Sequence, residues 1–167
     1  MKLRELKEKD ADLMLEWMHS ELSKKVFEKD FNSFTKDKVL NFIKNNKTYE
    51  NEVHFACVDD SDEYMGTVSL KNIDQTNKHA EYAISFREKA FGTGASSYAT
   101  KEILKIAFEE LNLNKVYLCV LKINERANAF YKKQGFKQVG VFSEHILKNS
   151  NYEDLVWYEI KKREFDS

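Results

Sequence analysis

The sequence predicts an α/β or α+β fold, in which a mixed sheet of six to seven strands carries about four helices. Seven runs of the chain show the apolar pattern of strands, and four show the helical spacing of apolar residues. Within residues 80–121 a strand, a helix and a strand follow one another, which is the form of a right-handed crossover between parallel neighbours. The 167 residues contain no long linker, low-complexity run or internal repeat, so we expect a single domain over 1–167.

The N-terminal half is predicted to contain a strand, two helices and a β-hairpin. Asp10 and Thr35 are suited to cap the two helices, because their side-chain oxygens accept from the free N–H groups of a first helical turn. The hairpin is indicated by β-branched and aromatic residues that alternate on both sides of the acidic turn 59–62. The predicted bounds are a strand over 1–7, helices over 10–20 and 36–46, and strands over 53–58 and 65–70.

The C-terminal half is predicted to alternate strands and helices. In its first strand, Tyr82 and Ile84 lie on one face and Glu81 lies on the other. Apolar residues with helical spacing up to Leu111 then indicate a long helix. The predicted elements are a strand over 80–86, a loop over 87–94, the long helix, a strand over 115–121, a helix over 124–134 that ends at Gly135, and strands over 136–147 and 152–161.

Composition argues against several classes of function. The 27 Lys and Arg residues balance 28 Asp and Glu residues, so nothing indicates binding to nucleic acid or to an anionic membrane. No apolar run reaches the roughly 18 residues of a membrane span, and the N-terminus lacks the apolar centre of a signal peptide, so we expect a cytoplasmic protein. Cys57 and Cys119 lie in strand-like runs and are expected to be buried thiols. The four histidines have no spacing typical of metal ligands, and no metal is expected.

A glycine-containing loop between the fourth strand and the long helix is the first candidate binding site. It reads Phe91-Gly92-Thr93-Gly94-Ala95-Ser96. Glycines let the backbone approach a ligand closely, while the free N–H groups and the positive end of the helix dipole favour a phosphate. A tight turn without a ligand explains this pattern equally well. A dinucleotide-binding domain is disfavoured, because the next strand ends in Val120-Leu121-Lys122 rather than in an acidic residue.

The second candidate is a column of side chains on the helix 124–134. Asn124, Ala127 and Tyr131 are spaced by three and four residues, so they share one face, with an amide at one end and a phenol at the other. An ordinary amphipathic helix, with Asn124 as its N-cap and Tyr131 packed on the sheet, is the alternative. The two candidates occur in the order, and with the intervening strand, that a cofactor groove between two parallel strands requires.

Over nearly its whole length the chain resembles the GNAT superfamily of acetyl-CoA-dependent N-acetyltransferases. The segment N-E-R-A-N-A-F-Y-K-K-Q-G-F, from Asn124 to Phe136, is similar to the family motif N-x-x-A-x-x-x-Y-x-x-x-G-F. The glycine loop resembles the pyrophosphate loop R/Q-x-x-G-x-G/A, with Phe91 at the basic position and Ser96 at the last one. A register that begins at Lys89 restores a basic residue but shortens the spacing from the strand. The pattern resembles most the branch with ribosomal-protein, spermidine and amino-sugar N-acetyltransferases.

The resemblance implies that acetyl-CoA is the cofactor and that parallel strands four and five of a mostly antiparallel sheet splay apart. The pantetheine arm would then pair with the backbone of Ile84 and Phe86, and the pyrophosphate would lie on the N–H groups of residues 92–96. Asn124 would hydrogen-bond the pantetheine arm, and Tyr131 would lie near the thioester sulfur. The implied cofactor contacts are Ile84, Phe86, Phe91, Gly92, Thr93, Gly94, Ala95, Ser96, Asn124, Ala127 and Tyr131.

Direct acetyl transfer needs a neutral amine, a stabilised oxyanion and a proton for the departing thiolate. Tyr131 suits the third role, because a phenol with a pKa of about 10 is protonated at neutral pH; a hydrogen bond that only positions the sulfur is the alternative. Glu81 is the first candidate for the base, since several family members keep a catalytic glutamate on this strand, and an exposed or ion-paired glutamate is the alternative. Asp154 and Glu144 are further candidates, because the segment around Asp154 resembles the Y-x-D of the same branch.

The acceptor is expected to be a primary amine of a small molecule, such as an amino sugar or a polyamine, or of a protein N-terminus. Trp17 and Glu16 are candidates for its pocket, with a core position for Trp17 and a solvated helix face for Glu16 as the favoured alternatives. His145 is expected to be a surface residue of a strand. A non-catalytic sensor of acyl-CoA is the alternative function. The edge strands are compatible with a homodimer.

Overall fold

A computed structural model describes residues 1–46 and 50–165, and its centre is a seven-stranded sheet. The strands are β1 (Lys2–Glu5), β2 (Val53–Val58), β3 (Tyr64–Asp74), β4 (His79–Phe86), β5 (Lys115–Leu121), β6 (Lys137–Lys148) and β7 (Asn151–Lys161). Their order in the sheet is β1-β2-β3-β4-β5-β7-β6. Neighbouring strands are antiparallel except β4 and β5, which are parallel. The predicted mixed, mostly antiparallel sheet is confirmed.

The described part of the chain contains six helices, two more than the sequence pattern predicts. They are α1 (Ala11–Met18), α2 (Glu21–Val26), α3 (Lys36–Asn45), α4 (Ala95–Lys105), α5 (Glu125–Lys133) and α6 (Lys162–Phe165). The two unpredicted helices, α2 and α6, are six and four residues long, which is too short to show an apolar period. The predicted long helix continues past α4 as a π-helical turn over Ile106–Glu110 and ends there.

The predicted caps of α1 and α3 differ in outcome. Thr35 caps α3 as expected, with its Oγ1 accepting from the Lys38 N–H at 3.3 Å. Asp10 does not cap α1, because both of its carboxylate oxygens are taken by the guanidinium of Arg4, at 2.7 and 2.8 Å. Asp10 also accepts from the Lys7 N–H and therefore fastens β1 to the turn before α1.

Helices cover both faces of the sheet. Alternate residues of β2 show this, since Ala56 packs with α1 and α3, whereas the Cys57 Sγ lies 3.8 Å from the Ala95 carbonyl at the start of α4. The larger core lies between the sheet and α4, with Ile103 and Phe108 fully buried. None of the helices in the described ranges has the length and apolar character that a membrane crossing needs.

The parallel strands β4 and β5 pair over three residues only. His79–Glu81 lies beside Lys115–Tyr117, and beyond this point the two strands separate. On the side away from the separation, both strands remain paired. β4 is paired with β3 as far as Phe86, and β5 is paired with β7 as far as Leu121. The separation leaves a gap in the middle of the sheet, with backbone edges of β4 and β5 on its two sides, as the resemblance implies.

Candidate active site

A cavity of about 580 Å³ lies at the gap between β4 and β5. Four parts of the chain form its wall: α2, the end of β4, the glycine loop and the start of α5. Among the sequence-predicted site residues, the wall contains Ile84, Phe86, Phe91, Ser96, Asn124, Ala127 and Tyr131. The cavity wall thus includes the helix column and the two ends of the glycine loop, whereas Gly92, Thr93, Gly94 and Ala95 are not part of it.

The glycine loop has the backbone shape that its sequence predicts. Gly92 and Gly94 have φ angles of 76° and 84°, in the left-handed region where a side chain is strained. A Cβ atom at either position would meet nothing within 4 Å, so conformation and not space requires glycine here. Gly94 is the N-cap of α4 and provides no side-chain cap, so the positive end of the α4 dipole is open toward the cavity-lining residue Ser96.

Two of the five N–H groups in the predicted pyrophosphate cradle have partners inside the loop. The Thr93 N–H donates to the Ala90 carbonyl and the Ala95 N–H donates to the Thr93 hydroxyl, both at 3.3 Å. The Ser96 N–H lies in the first turn of α4, where no helical carbonyl precedes it. The N–H groups of Gly92, Gly94 and Ser96 are therefore the ones that the loop leaves available to a ligand.

Phe91 and Lys89, the first residues of the two possible loop registers, differ in their surroundings. Phe91 lies in the cavity wall. Lys89, the start of the alternative register, belongs to a separate 3₁₀ turn and pairs with Glu63 at 2.8 Å. The basic residue that the alternative register supplies is therefore committed to an exposed ion pair.

The free edge of β4 ends against the cavity at Ile84 and Phe86. Opposite Phe86 in the antiparallel ladder is Gly66 of β3. A Cβ atom on Gly66 would lie 2.4 Å from the Phe86 ring and 2.6 Å from the Ser85 carbonyl oxygen. The absence of a side chain at Gly66 thus sets the position of the last residues of β4.

Asn124 is the N-cap of α5, which is one of the two roles expected from the sequence. Its Oδ1 accepts from the Ala127 N–H at 3.2 Å. The cap uses only the carbonyl oxygen of the side chain, and the amide NH₂ group is a donor beside the cavity. The N-cap and a hydrogen bond to a cofactor are therefore compatible.

Tyr131 lies in the cavity wall and is only 8% exposed. Its ring contacts those of Tyr82 and Tyr158, each at a centroid distance of 6.0 Å. No residue in the described ranges forms a hydrogen bond with its hydroxyl, whereas the hydroxyls of Tyr82 and Tyr158 bind Thr100 and Asn128. Burial raises the pKa of Tyr131 above the usual range of a phenol, so the hydroxyl remains a proton donor at any physiological pH.

The two cysteines differ in exposure. Cys57 is buried, as predicted, whereas Cys119 is half-buried, because it lies on the face of β5 that the large core does not cover. Burial, followed by the negative charges of Glu81 and Glu28, raises the pKa of the Cys119 thiol to about 11. Cys119 also contributes, after burial, to the raised pKa of Tyr131, so the thiol and the phenol are near each other.

Glu81 is placed outside the cavity wall. It lies where β4 and β5 still pair, and its Oε2 accepts from the Asn72 amide at 2.8 Å. The Lys71 ammonium is 3.6 Å from its Oε1, and its side chain is 21% exposed. Glu81 is thus ion-paired, and a proton that it receives from an amine at the gap must travel through water.

The two other candidate bases form part of the last hairpin. Glu144 has a φ of 49° in an irregularity of β6, and its N–H donates to the Asp154 carboxylate at 2.9 Å. This hydrogen bond and the nearby Lys122 ammonium hold the pKa of Asp154 below its usual value. Neither carboxylate is in the cavity wall. His145 is exposed and contacts the Phe142 ring, as expected for a surface residue.

The residues proposed for an acceptor pocket on α1 have structural partners. Trp17 is 5% exposed, and its indole N–H donates to the Tyr64 hydroxyl at 3.0 Å, so it is a core residue. Glu16 is exposed on α1, as expected, and its carboxylate also accepts from the Nε and Nη2 groups of Arg87, at 3.0 and 2.9 Å. It is therefore a counter-ion of the buried Arg87 that follows β4.

The sequence pattern misses the part of the cavity wall that comes from α2. Leu22 and Val26 of this helix line the cavity beside Phe27. Ser20 caps the helix through its hydroxyl, which accepts from the Ser23 N–H at 3.1 Å. A Ser followed by an acidic residue and two apolar residues at i, i+4 is a signal for this short helix. Arg126, which also lines the cavity, is missed because its partner is distant in sequence.

The splayed strands, the glycine loop at a helix start and the free phenol define the class of an acyl-CoA-dependent acyltransferase. The chain belongs to the acetyltransferase (GNAT) domain family, whose model matches residues 3–157. The predicted family, fold and cofactor, acetyl-CoA, are confirmed by this membership.

Two curated relatives and one solved structure illustrate the likeness. The chain is 35% identical over 101 residues to the putative ribosomal N-acetyltransferase YdaF of Bacillus subtilis, which covers 60% of this chain and 55% of that protein. It is 29% identical over 120 residues to the spermidine N(1)-acetyltransferase of Escherichia coli K12, which covers 69% of this chain and 64% of that protein. The chain thus spans less than two thirds of the length of these two relatives.

The solved structure is a spermidine N-acetyltransferase from Vibrio cholerae in complex with CoA and spermine. The TM-score is 0.90, with 22% identity over 99% of this chain and 98% of that chain. At this identity the comparison establishes the fold.

Proposed function

We propose that the protein transfers an acetyl group from acetyl-CoA directly to a primary amine, and that Tyr131 protonates the departing thiolate. The observation that carries the proposal is the Tyr131 hydroxyl, which lies in the wall of the cavity at the gap of the sheet without a partner in residues 1–46 and 50–165. The hydroxyl is not among the side-chain atoms that are closed off from solvent without a partner, so a ligand in the cavity can reach it.

The steps follow from the positions of the described groups. The N–H groups of the glycine loop and of the start of α4 would hold the pyrophosphate, and the backbone edge of β4 at Ile84 and Phe86 would hold the pantetheine arm. The amine attacks the thioester carbonyl, the C–S bond breaks, and the Tyr131 O–H donates its proton to the sulfur. The ammonium proton leaves through water toward Glu81. Bulk water then restores the Tyr131 proton.

A small cationic amine is the acceptor class that we propose, with a polyamine ahead of an amino sugar or a protein N-terminus. The negative charges of Glu81 and Glu28 act on Cys119, and the positive charge of Lys71 opposes them. These three groups carry one excess negative charge, which favours a polycation over a nucleotide sugar. The relatives named as spermidine acetyltransferases support the same class.

The test is a Tyr131→Phe variant assayed with spermidine, glucosamine and an N-terminal peptide. We expect turnover with spermidine to fall about 10²–10³-fold, the range of general acid catalysis, with the dissociation constant of acetyl-CoA unchanged within threefold. Tyr98→Phe, which removes a hydroxyl from α4, is the matched control and should retain turnover. Full turnover of Tyr131→Phe would contradict the general-acid role.

The same assay separates the enzyme from its alternative, a sensor of acyl-CoA. A sensor binds acetyl-CoA tightly but releases no thiol with any amine of the panel, and Tyr131→Phe leaves its affinity unchanged. Thiol release that depends on the amine and on Tyr131 excludes a sensor.

A homodimer and a cytoplasmic location complete the proposal. β6 is an edge strand of 12 residues with exposed apolar side chains at Val139, Phe142 and Leu147, a surface that a second copy could cover. The two free cysteines support a reducing compartment. Light scattering at several concentrations tests the dimer, and a mass of one chain throughout would contradict it.

A further inference from the structure

The guanidinium of Arg126 stacks on the ring of Phe91. Its Cζ atom lies 3.3 Å from the ring centroid, and both side chains are in the cavity wall. Arg126 belongs to the first turn of α5, whereas Phe91 opens the glycine loop before α4. The contact therefore places the positive charge of Arg126 beside Phe91, the first residue of the loop, which has no charge of its own.

We infer that Arg126 binds the pyrophosphate of acetyl-CoA and replaces the basic side chain that the first position of the loop lacks. The inference rests on the proposed cofactor site. A guanidinium presents N–H groups in a planar fork that matches two phosphate oxygens, and stacking on an aromatic ring fixes the plane of that fork before the ligand arrives. Phe91 is thus a positioning residue for the cation.

The charges of the cavity wall support this role. Glu88 and Glu125 belong to the same wall as Arg126, and among the described residues of the wall the other basic side chain is Lys25, on α2. A pyrophosphate at the Ser96 N–H therefore approaches one carboxylate before the loop, Glu88, and one on α5, Glu125, and their repulsion must be offset locally. Arg126 is the cation that is in contact with the loop.

The experiment is calorimetric titration of the wild type and of Arg126→Gln with CoA, dephospho-CoA and pantetheine. We expect the variant to bind CoA and dephospho-CoA about tenfold more weakly, as the loss of a charge-assisted hydrogen bond predicts. Pantetheine, which has no phosphate, should bind both proteins equally. Lys132→Gln, which removes an exposed lysine from the same helix, is the matched control and should bind like the wild type. Phe91→Leu should show a smaller loss with the same phosphate dependence.

Three outcomes would overturn the inference. An equal loss of pantetheine affinity would show that Arg126 acts on the fold of the cavity. A loss with CoA but none with dephospho-CoA would assign Arg126 to the 3′-phosphate. Unchanged CoA affinity in Arg126→Gln would remove the role of Arg126 but leave the proposed function intact, whereas a wild type that binds no CoA would remove both.

Discussion

At the scale of single residues, the partners of each polar group decide which candidates are available for chemistry. Three tyrosine rings, Tyr82, Tyr131 and Tyr158, pack together. The hydroxyls of Tyr82 and Tyr158 form hydrogen bonds with Thr100 and Asn128, whereas the Tyr131 hydroxyl forms none within the described residues. Among the acids, Asp154 is bound by the Glu144 N–H. Tyr131 is therefore the tyrosine of this group whose hydroxyl is available to donate a proton. Which hydroxyl is available depends on the folded structure and cannot be seen in the sequence.

Cys119 is expected to take no covalent part in the reaction. With a pKa of about 11, only roughly one thiol in several thousand is ionised near pH 7.5, and the thiolate is the nucleophilic form. We predict that Cys119→Ser and Cys119→Ala retain turnover within about twofold. An acetyl group found on Cys119 by mass spectrometry, together with loss of turnover in both variants, would contradict direct transfer.

The sequence predicts the residues of the site better than their roles. The motif spacing identifies Asn124, Ala127 and Tyr131, because a helix places i, i+3 and i+7 on one face in any fold. The ion pairs of Glu81 and Glu16 cannot be predicted in this way. Lys71 lies opposite Glu81 because of the register of β3 and β4, and Arg87 contacts Glu16 because α1 packs near the end of β4. The contact between Arg126 and Phe91 is hidden for the same reason.

At the scale of elements, the end of β4 depends on a close approach to β3. We predict that Gly66→Ala weakens acetyl-CoA binding and lowers stability by about 1–3 kcal/mol, since the new methyl group overlaps the Phe86 ring and the Ser85 carbonyl. Measurements of the cofactor dissociation constant and of denaturant unfolding test both effects.

The matched control for Gly66→Ala is Gly140→Ala. A Cβ atom at Gly140 on β6 meets nothing within 4 Å, so this variant should be close to the wild type in both measurements. Equal behaviour of the two variants would show that the end of β4 adapts freely and that Gly66 does not position it.

Elements with a long apolar period are predictable from this sequence, and short ones are not. All seven strands match their predicted positions within a few residues, and six of them, all except the four-residue β1, are six residues or longer. The strand bounds differ most for β3, which extends past Leu70 to Asp74 through a mostly polar segment that includes the buried Ile73. Helix α2 is held by tertiary contacts at Ser23, whose hydroxyl donates to the Trp17 carbonyl, and such contacts leave no period in the sequence.

At the scale of the whole molecule, Arg87 joins the helical layer to the end of the central strand. It is 7% exposed and binds Glu16 of α1, Glu63 and the Tyr64 carbonyl. We predict that Arg87→Ala costs about 2 kcal/mol in the free energy of unfolding, because two half-exposed carboxylates lose their counter-ion and the stem loses its packing.

Lys89→Ala is the control for Arg87→Ala, since Lys89 binds the same Glu63 carboxylate but is exposed. An exposed pair contributes about 0–1 kcal/mol, so this variant should unfold close to the wild type in urea. If Lys89→Ala cost as much as Arg87→Ala, the burial of Arg87 would not be the source of its effect.

The sheet consists of two halves, and the three-residue pairing of β4 with β5 joins them. Backbone hydrogen bonds fix the spacing of the strands within each half. Beyond Glu81 and Tyr117, no ladder of backbone hydrogen bonds joins β4 to β5. Beside the gap, the rings of Tyr82, Tyr131 and Tyr158 pack against one another instead. We therefore expect a smaller side chain at Tyr82 or Tyr158 to change the space beside Tyr131 without breaking a backbone hydrogen bond of the sheet.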